Sequence, residues 1–258
     1  MDKRDTAPSP RGAVLHPQAN IDIRRVLPGA ALSPFVAYFW LIRWDLPAPT
    51  VQRVLPRPAV NLVSERDRWM VSGVQTQRYD RILEGCGAVF GVLFRPTGYA
   101  AFTDRPLYTL TDRTEDMAAR MGICAETLHT ELCALSDAQC CARLEALLLR
   151  LGARACPHRA ALDALVEHAR TDPSLIRAEQ LASQAGVGLR TLQRRMRRDI
   201  GIGPKALLRR FRLQEAVARI EEGTPLADLA YALGYCDQAH FCRDFTAVIG
   251  APPSRYRP

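Results

Sequence analysis

Apolar positions fall in short runs over the first part of the chain and recur every three or four residues over the last part. The hydrophobic period therefore changes once. Between about 21 and 98, runs rich in Val, Ile, Phe, Tyr and Trp at 35–44, 51–55, 59–63, 69–74 and 88–94 predict strands. Prolines at 47, 49, 56 and 58 break these runs and read as loops or edge positions, because proline has no amide to give a ladder. Several short strands with frequent turns predict a small barrel or sandwich. From 138 to 151, Cys140, Leu144, Leu147, Leu148 and Leu151 share one face at about 100° per residue, which predicts a helix with Asp137 as its N-cap. Such a stripe serves either packing within its own domain or pairing of two subunits. Residues 152–158 read as a hinge. A helix over 159–170 carries Leu162, Leu165 and Val166, and Thr171-Asp172-Pro173 stops it.

Beyond this point one pattern occurs twice. Leu181-Ala182 precedes Gly186, then Leu192-Gln193-Arg194-Arg195-Met196 follows; Leu229-Ala230 precedes Gly234, then Phe241-Cys242-Arg243-Asp244-Phe245 follows. The copies are offset by 48 residues at the glycine and 49 at the arginine. Each reads as a helix ended by glycine and a second helix anchored on apolar residues four apart, a helix-turn-helix at about 178–198 and again at 226–248. Arg194 stands two residues after Leu192, roughly 200° around the helix, and so points away from the buried face, as Arg243 does after Phe241. Arginine can grip a guanine edge and glutamine an adenine edge. This makes Arg190, Gln193, Arg194 and Arg197 the candidate readers of the first copy, and Gln238, His240 and Arg243 those of the second. In the helix predicted over 204–222, Leu207, Leu208 and Phe211 lie on one side and Leu213, Val217 and Ile220 roughly opposite. Its two halves should bury in different subdomains and fix the reading helices relative to each other.

The expected fold class is thus α+β with two domains: a β-rich, barrel-like N-terminal domain followed by helices, then an all-α double helix-turn-helix C-terminal domain. The expected boundaries are a disordered start at 1–18, a sensory or oligomerisation domain at 19–152, and a DNA-binding domain at 159–258.

Charge sharpens the functional side of this picture. The formal net charge is +8, and only Lys3 and Lys205 are lysines among 35 basic residues. No acidic residue stands between Glu179 and Asp199, whereas Arg190, Arg194, Arg195, Arg197 and Arg198 share one short helix. Such a helix releases counterions from phosphate and predicts salt-sensitive binding to duplex DNA. No segment approaches the roughly 20 apolar residues needed to span a bilayer, and the polar start lacks a signal segment, so the expected location is cytoplasmic and no membrane partner is expected. The eight cysteines include no C-x-x-C pair and no zinc spacing, so no metal or other cofactor is expected. They read as reduced thiols, with Cys140-Cys141 and Cys236/Cys242 as the places where a redox sensor would sit.

The segment from Leu226 to Phe245, LADLAYALGYCDQAHFCRDF, followed by GAPPSRYR from Gly250 to Arg257, resembles the signature of the AraC/XylS family of bacterial transcription regulators. The resemblance covers about 159–258. It implies a two-lobed helical DNA-binding domain acting at promoters, more often as activator than repressor, with RNA polymerase as partner. The family's base-reading positions fall on Arg190, Gln193 and Arg194 in the first lobe and on Gln238, Ala239, Cys242 and Arg243 in the second. Ala239 and Cys242 hydrogen-bond poorly, so the resemblance implies a second lobe that reads fewer bases. More loosely, Phe90-Gly-Val-Leu-Phe-Arg-Pro-Thr-Gly-Tyr-Ala-Ala-Phe102 and Leu110-Thr-Asp-Arg113 resemble an N-terminal domain of some such regulators, which implies a sensory or oligomerisation role.

A barrel would offer an apolar pocket to a small-molecule effector, with Trp40, Trp44, Trp69 and Phe94 either lining it or forming core. Two other readings differ in class or input. A thiol-based redox regulator would use cysteines as its input. A DNA-acting alkyl-acceptor enzyme would need a nucleophilic cysteine beside a histidine or a four-cysteine zinc site, and no such motif stands out in the sequence.

Overall fold

The computed structural model describes residues 14–15, 20–54 and 57–256. Among the described residues its N-terminal part is an antiparallel sheet of seven strands: β1 (Val14–Leu15), β2 (Ile21–Val26), β3 (Val36–Val54), β4 (Asn61–Glu65), β5 (Arg68–Ser72), β6 (Tyr79–Phe94) and β7 (Thr114–Asp116). The order is β1-β3-β6-β4-β5-β7, with β2 also on β3. The expectation of a β-rich domain holds, but the sheet is open: β7 pairs with β5, β2 pairs with β3, and no ladder among the described residues joins the two edges.

Two sequence expectations change here. Pro47 and Pro49 do not end a strand; they lie inside β3, where the register jumps from Leu46 opposite Gly85 to Thr50 opposite Leu83. A bulge has no ladder bond for a proline to lose, so 19 residues continue as one bent strand. Of the start expected to be disordered, 1–13 and 16–18 lie outside the described residues, as do Leu55, Pro56 and Arg257. Val14–Leu15 instead pairs with Val54 and Arg53, on the edge of β3 that β2 leaves uncovered.

Alternation along β3 and β6 gives the sheet two different faces. Phe39, Leu41, Phe90, Val92 and Phe94 point into the main core, with Leu62, Trp69 and Val71. That core is closed by α1 (Ala118–Met121), α2 (Ala125–Ala134) and α3 (Asp137–Leu151). The stripe of α3 is consumed there: Cys140, Leu144, Leu147 and Leu148 are all buried in this core, so the face is not free to pair subunits. Its cap is Ser136, in a reciprocal box with Gln139, and Asp137 is the first helical residue.

The opposite face carries Tyr38, Trp40, Ile42 and Trp44, which border a cavity of about 380 Å³. Trp40 and Trp44 stand opposite Gly91 and Gly87 across the β3–β6 ladder. A Cβ on either glycine would come within 2.3 Å of the ring, so the glycines let the indoles lie flat on the strand. Trp40 and Trp44 therefore line the cavity, while Trp69 and Phe94 belong to the core.

Six helices follow: α4 (Pro157–Thr171), α5 (Ala178–Gln184), α6 (Leu189–Asp199), α7 (Pro204–Glu221), α8 (Leu226–Ala232) and α9 (Gln238–Ile249). They form two cores. Leu162, Val166, Leu181, Leu192, Met196, Leu207 and Leu208 make the first; Leu213, Val217, Leu229, Phe241, Phe245 and Tyr256 belong to the second. As the switch of face predicts, α7 buries its first half in one lobe and its second half in the other.

The loop between β5 and β6 reaches both lobes. Val74, 1% exposed, is part of the first lobe's core, and the Gln75 carbonyl accepts from Arg210. Arg78 donates its amide to the carbonyl of Val248 on α9 at 3.3 Å. Burial pushes the Arg210 guanidinium down to about 10, the cost of holding a cation in this seam. Thr97 adds a tie to α4, giving its amide and hydroxyl to Asp163 at 2.8 and 2.9 Å. Among the described residues no helix is long and apolar enough to cross a membrane.

Candidate nucleic-acid interface

In the first lobe, α5 ends at Gly186, whose φ of +62° is costly for any residue with a Cβ. The amide of Gly186 bonds back to Ser183 and that of Val187 to Ala182, closing the last turn. The chain then turns through Gly188 into α6, which buries Leu192 and Met196. The second lobe repeats this at Gly234, φ +72°, with Tyr235 bonding back to Ala230. There Asp237 caps α9 by accepting the His240 amide at 2.6 Å, and Phe241 and Phe245 are fully buried.

These anchors determine what faces outward. Arg190, Gln193, Arg194, Arg195, Arg197 and Arg198 are all exposed on α6, as are Gln238, Ala239, His240 and Arg243 on α9. Arg190, Gln193, Arg194 and Arg197 border one open recess, joined by Lys205 and Arg209 from the start of α7. Five cations around one glutamine give this recess a field suited to phosphate, with side chains long enough to reach base edges.

Not every candidate is equally free. Arg197 stacks over the ring of Tyr108, 5.5 Å from its centroid, so a residue of the N-terminal domain stands at the edge of the recess. The His240 ring packs edge-on against Tyr235 at 5.2 Å. On α9, Cys242 is half-buried and gives no polar group to the surface.

Several relevant residues carried no sequence signal. Arg209 holds Asp244 through two bonds of 2.9 and 3.0 Å, joining α7 to α9 across the lobes. Tyr235 is buried beneath Arg212, whose guanidinium lies 4.6 Å from the ring centroid. Its burial pushes the phenol up to about 12, against the smaller downward pull of the Arg212 cation. Tyr108 sits in a short 3-10 turn (Leu107–Thr109) and Val74 in a loop, where only the docking of the two parts gives them a role. Cys156 and His158 are two apart in sequence and meet at 2.8 Å, which corrects the expectation that no cysteine stands beside a histidine. The sites first suspected differ: Cys140 and Cys141 are buried, Cys236 is exposed and Cys242 half-buried.

Comparison with known proteins divides the chain similarly. Residues 24–116 match a family model described as a domain of unknown function, DUF6597, and 181–258 match one described as a helix-turn-helix domain. A putative AraC-like transcription regulator of Streptomyces antibioticus is 35% identical over 79 residues, covering 30% of this chain and 26% of that protein. The transcriptional activator RhaS of Pectobacterium atrosepticum is 33% identical over 78 residues, covering 30% of this chain and 28% of that protein. The chain thus spans about a quarter of the length of the curated relatives it matches. Among solved structures, ToxT of Vibrio cholerae with a bound unsaturated fatty acid aligns over 98% of this chain and 96% of its own, at 10% identity and a TM-score of 0.41. On its paired helix-turn-helix units and these sequence matches, the segment 181–258 is a helix-turn-helix domain similar in sequence to that of AraC-like transcription regulators.

Proposed function

We propose that this protein regulates transcription by placing α6 and α9 in successive major grooves of duplex DNA, with α6 supplying most of the grip. The observation that carries this reading is the sidedness of α6: Leu192 and Met196 are buried, while Arg190, Gln193, Arg194 and Arg197 are exposed around one basic recess. Grooves on one face of DNA recur about every 34 Å, and a shared helix such as α7 suits a fixed spacing of that kind. In α9, Gln238 and Arg243 are the readers and His240 a flanking contact; Ala239 and Cys242 leave that helix with fewer polar contacts. The working boundary between sensory and DNA-binding domains falls at 152–156, before α4. RNA polymerase is the partner at a promoter, and the output is activation or repression according to where the site lies.

The cavity of the N-terminal sheet is the proposed effector site. Its wall of Trp40, Ile42, Trp44, Val89 and Leu93 suits an apolar body, and Arg25 and Arg57, each over the Tyr38 ring, suit an anionic group on it. Ser72, Gly73 and Gln75 also border this cavity, so the loop that grips both lobes begins at its wall. Selecting bound sequences from a random duplex pool with the full chain tests the function. Two half-sites about one helical turn apart support it; no enrichment at low salt refutes it.

A further inference from the structure

Outside the DNA-facing surface, three side chains meet where α4 leaves the linker. Cys156 is the N-cap of α4, His158 lies in its first turn, and Asp199 is the last residue of α6. The Cys156 Sγ is 2.8 Å from His158 Nδ1, and His158 Nε2 is 3.0 Å from Asp199 Oδ2. The other oxygen of Asp199 accepts from Arg159 Nε at 3.3 Å. A carboxylate held by a guanidinium has no proton to offer, so the imidazole proton sits on Nε2 and donates to Asp199. Nδ1 then presents its lone pair to the thiol, the tautomer that a base requires. Asp199 is buried, whereas Cys156 is half-buried and His158 exposed, so a small reagent can reach the sulfur while the carboxylate stays sheltered.

We propose that Cys156, His158 and Asp199 form a thiol-modification site whose substrate is a hydroperoxide. His158 Nδ1 takes the thiol proton as Sγ attacks the distal peroxide oxygen. The S–O bond forms as the O–O bond breaks; sulfur is oxidised by two electrons and the peroxide is reduced. The departing oxygen takes the proton back from His158 and leaves as water, or as an alcohol from an alkyl hydroperoxide. Hydroperoxide fits because the step needs a base for the thiol and then an acid for a poor leaving group, and one imidazole supplies both in turn. Asp199 is a positioning residue that holds the ring and balances its transient charge. The product is a sulfenic acid, which an external thiol reduces. Because Asp199 ends α6, the modified group lies one side chain away from the proposed reading helix.

The test uses the reduced full-length chain, hydrogen peroxide and dimedone, with labelling at each cysteine followed by peptide mass spectrometry. Cys156 should be labelled at least about 10-fold faster than Cys124 and Cys236, a conservative share of what positioned acid–base catalysis supplies. Cys124 is the demanding comparison, since hydrogen bonds from Thr127 hold its thiol below the ordinary range. His158→Asn should slow Cys156 about 10-fold or more and leave Cys124 and Cys236 unchanged. Equal rates at Cys156 and Cys236, or an unchanged Cys156 rate in the variant, would overturn the proposal. The buried Cys140 and Cys141 report folding in the same spectra. If the variant exposes them, the ranking of cysteines in the unsubstituted chain decides the question alone.

Discussion

Arg194→Ala separates base reading from simple charge attraction. Arg194 is exposed on α6 with no hydrogen bond or ion pair among the described residues, and its removal leaves Leu192 and Met196 untouched. The change in folding stability should therefore stay within about 0.5 kcal/mol. If the guanidinium grips a base edge, binding to the selected sequence weakens by about 1–3 kcal/mol, or about 5- to 150-fold, while binding to unrelated duplex changes much less. Fluorescence anisotropy over a series of salt concentrations on both duplexes measures this, with urea melts as the folding control. Equal losses on both duplexes, with the log–log salt slope falling by about 0.9, would mean that Arg194 holds a phosphate, and the base-reading argument would fail. Arg197 provides an internal comparison. It must leave Tyr108 before it can turn to DNA, giving up about 0.5–1 kcal/mol. Tyr108→Ala should then tighten binding about 2- to 5-fold, through Arg197 alone.

Three further outcomes follow from packing and charge. Val74→Ala removes two methyl groups from the first lobe's core and should destabilise the chain by about 2 kcal/mol in urea melts; a change below about 0.5 kcal/mol would show that this loop does not contribute to that core. A fragment of 157–258 lacks Val74 and should bind DNA at low salt with a less stable first lobe; failure to bind while well folded refutes the assignment of both readers to this segment. Tyr235 titrates near 12 in the folded chain and near 10 when unfolded, so its contribution is fully present below pH 10 and is lost as pH rises towards 12. Over that window the unsubstituted chain should lose about 2–3 kcal/mol more than Tyr235→Phe, read as the difference between their urea midpoints.

Local chemistry made much of this protein legible. The glycines at 186 and 234, the four-residue spacing of Leu192/Met196 and Phe241/Phe245, and the change of face along α7 each act within a few residues. A linear pattern therefore states both paired helices, the direction of Arg194 and Arg243, and the bridging role of α7. The N-terminal half was less legible. The strands were apparent, but Pro47 and Pro49 looked like breaks because the bulge that accommodates them depends on residues 83–85 of the partner strand. Trp40, Trp44, Trp69 and Phe94 looked alike, yet two line a cavity and two fill the core, since the side of the sheet each one faces depends on register.

The sequence by itself determined that this chain carries two helix-turn-helix units on a shared helix, because capping, periodicity and apolar spacing are short-range properties. The tertiary structure alone decided that the sheet stays open around a cavity, that the loop beside that cavity clamps both lobes, and that Tyr108 covers Arg197. It also brought Asp199 to a histidine 41 residues earlier in the chain. Each of these pairs groups far apart in sequence, and only the packing of one element on another brings them into contact.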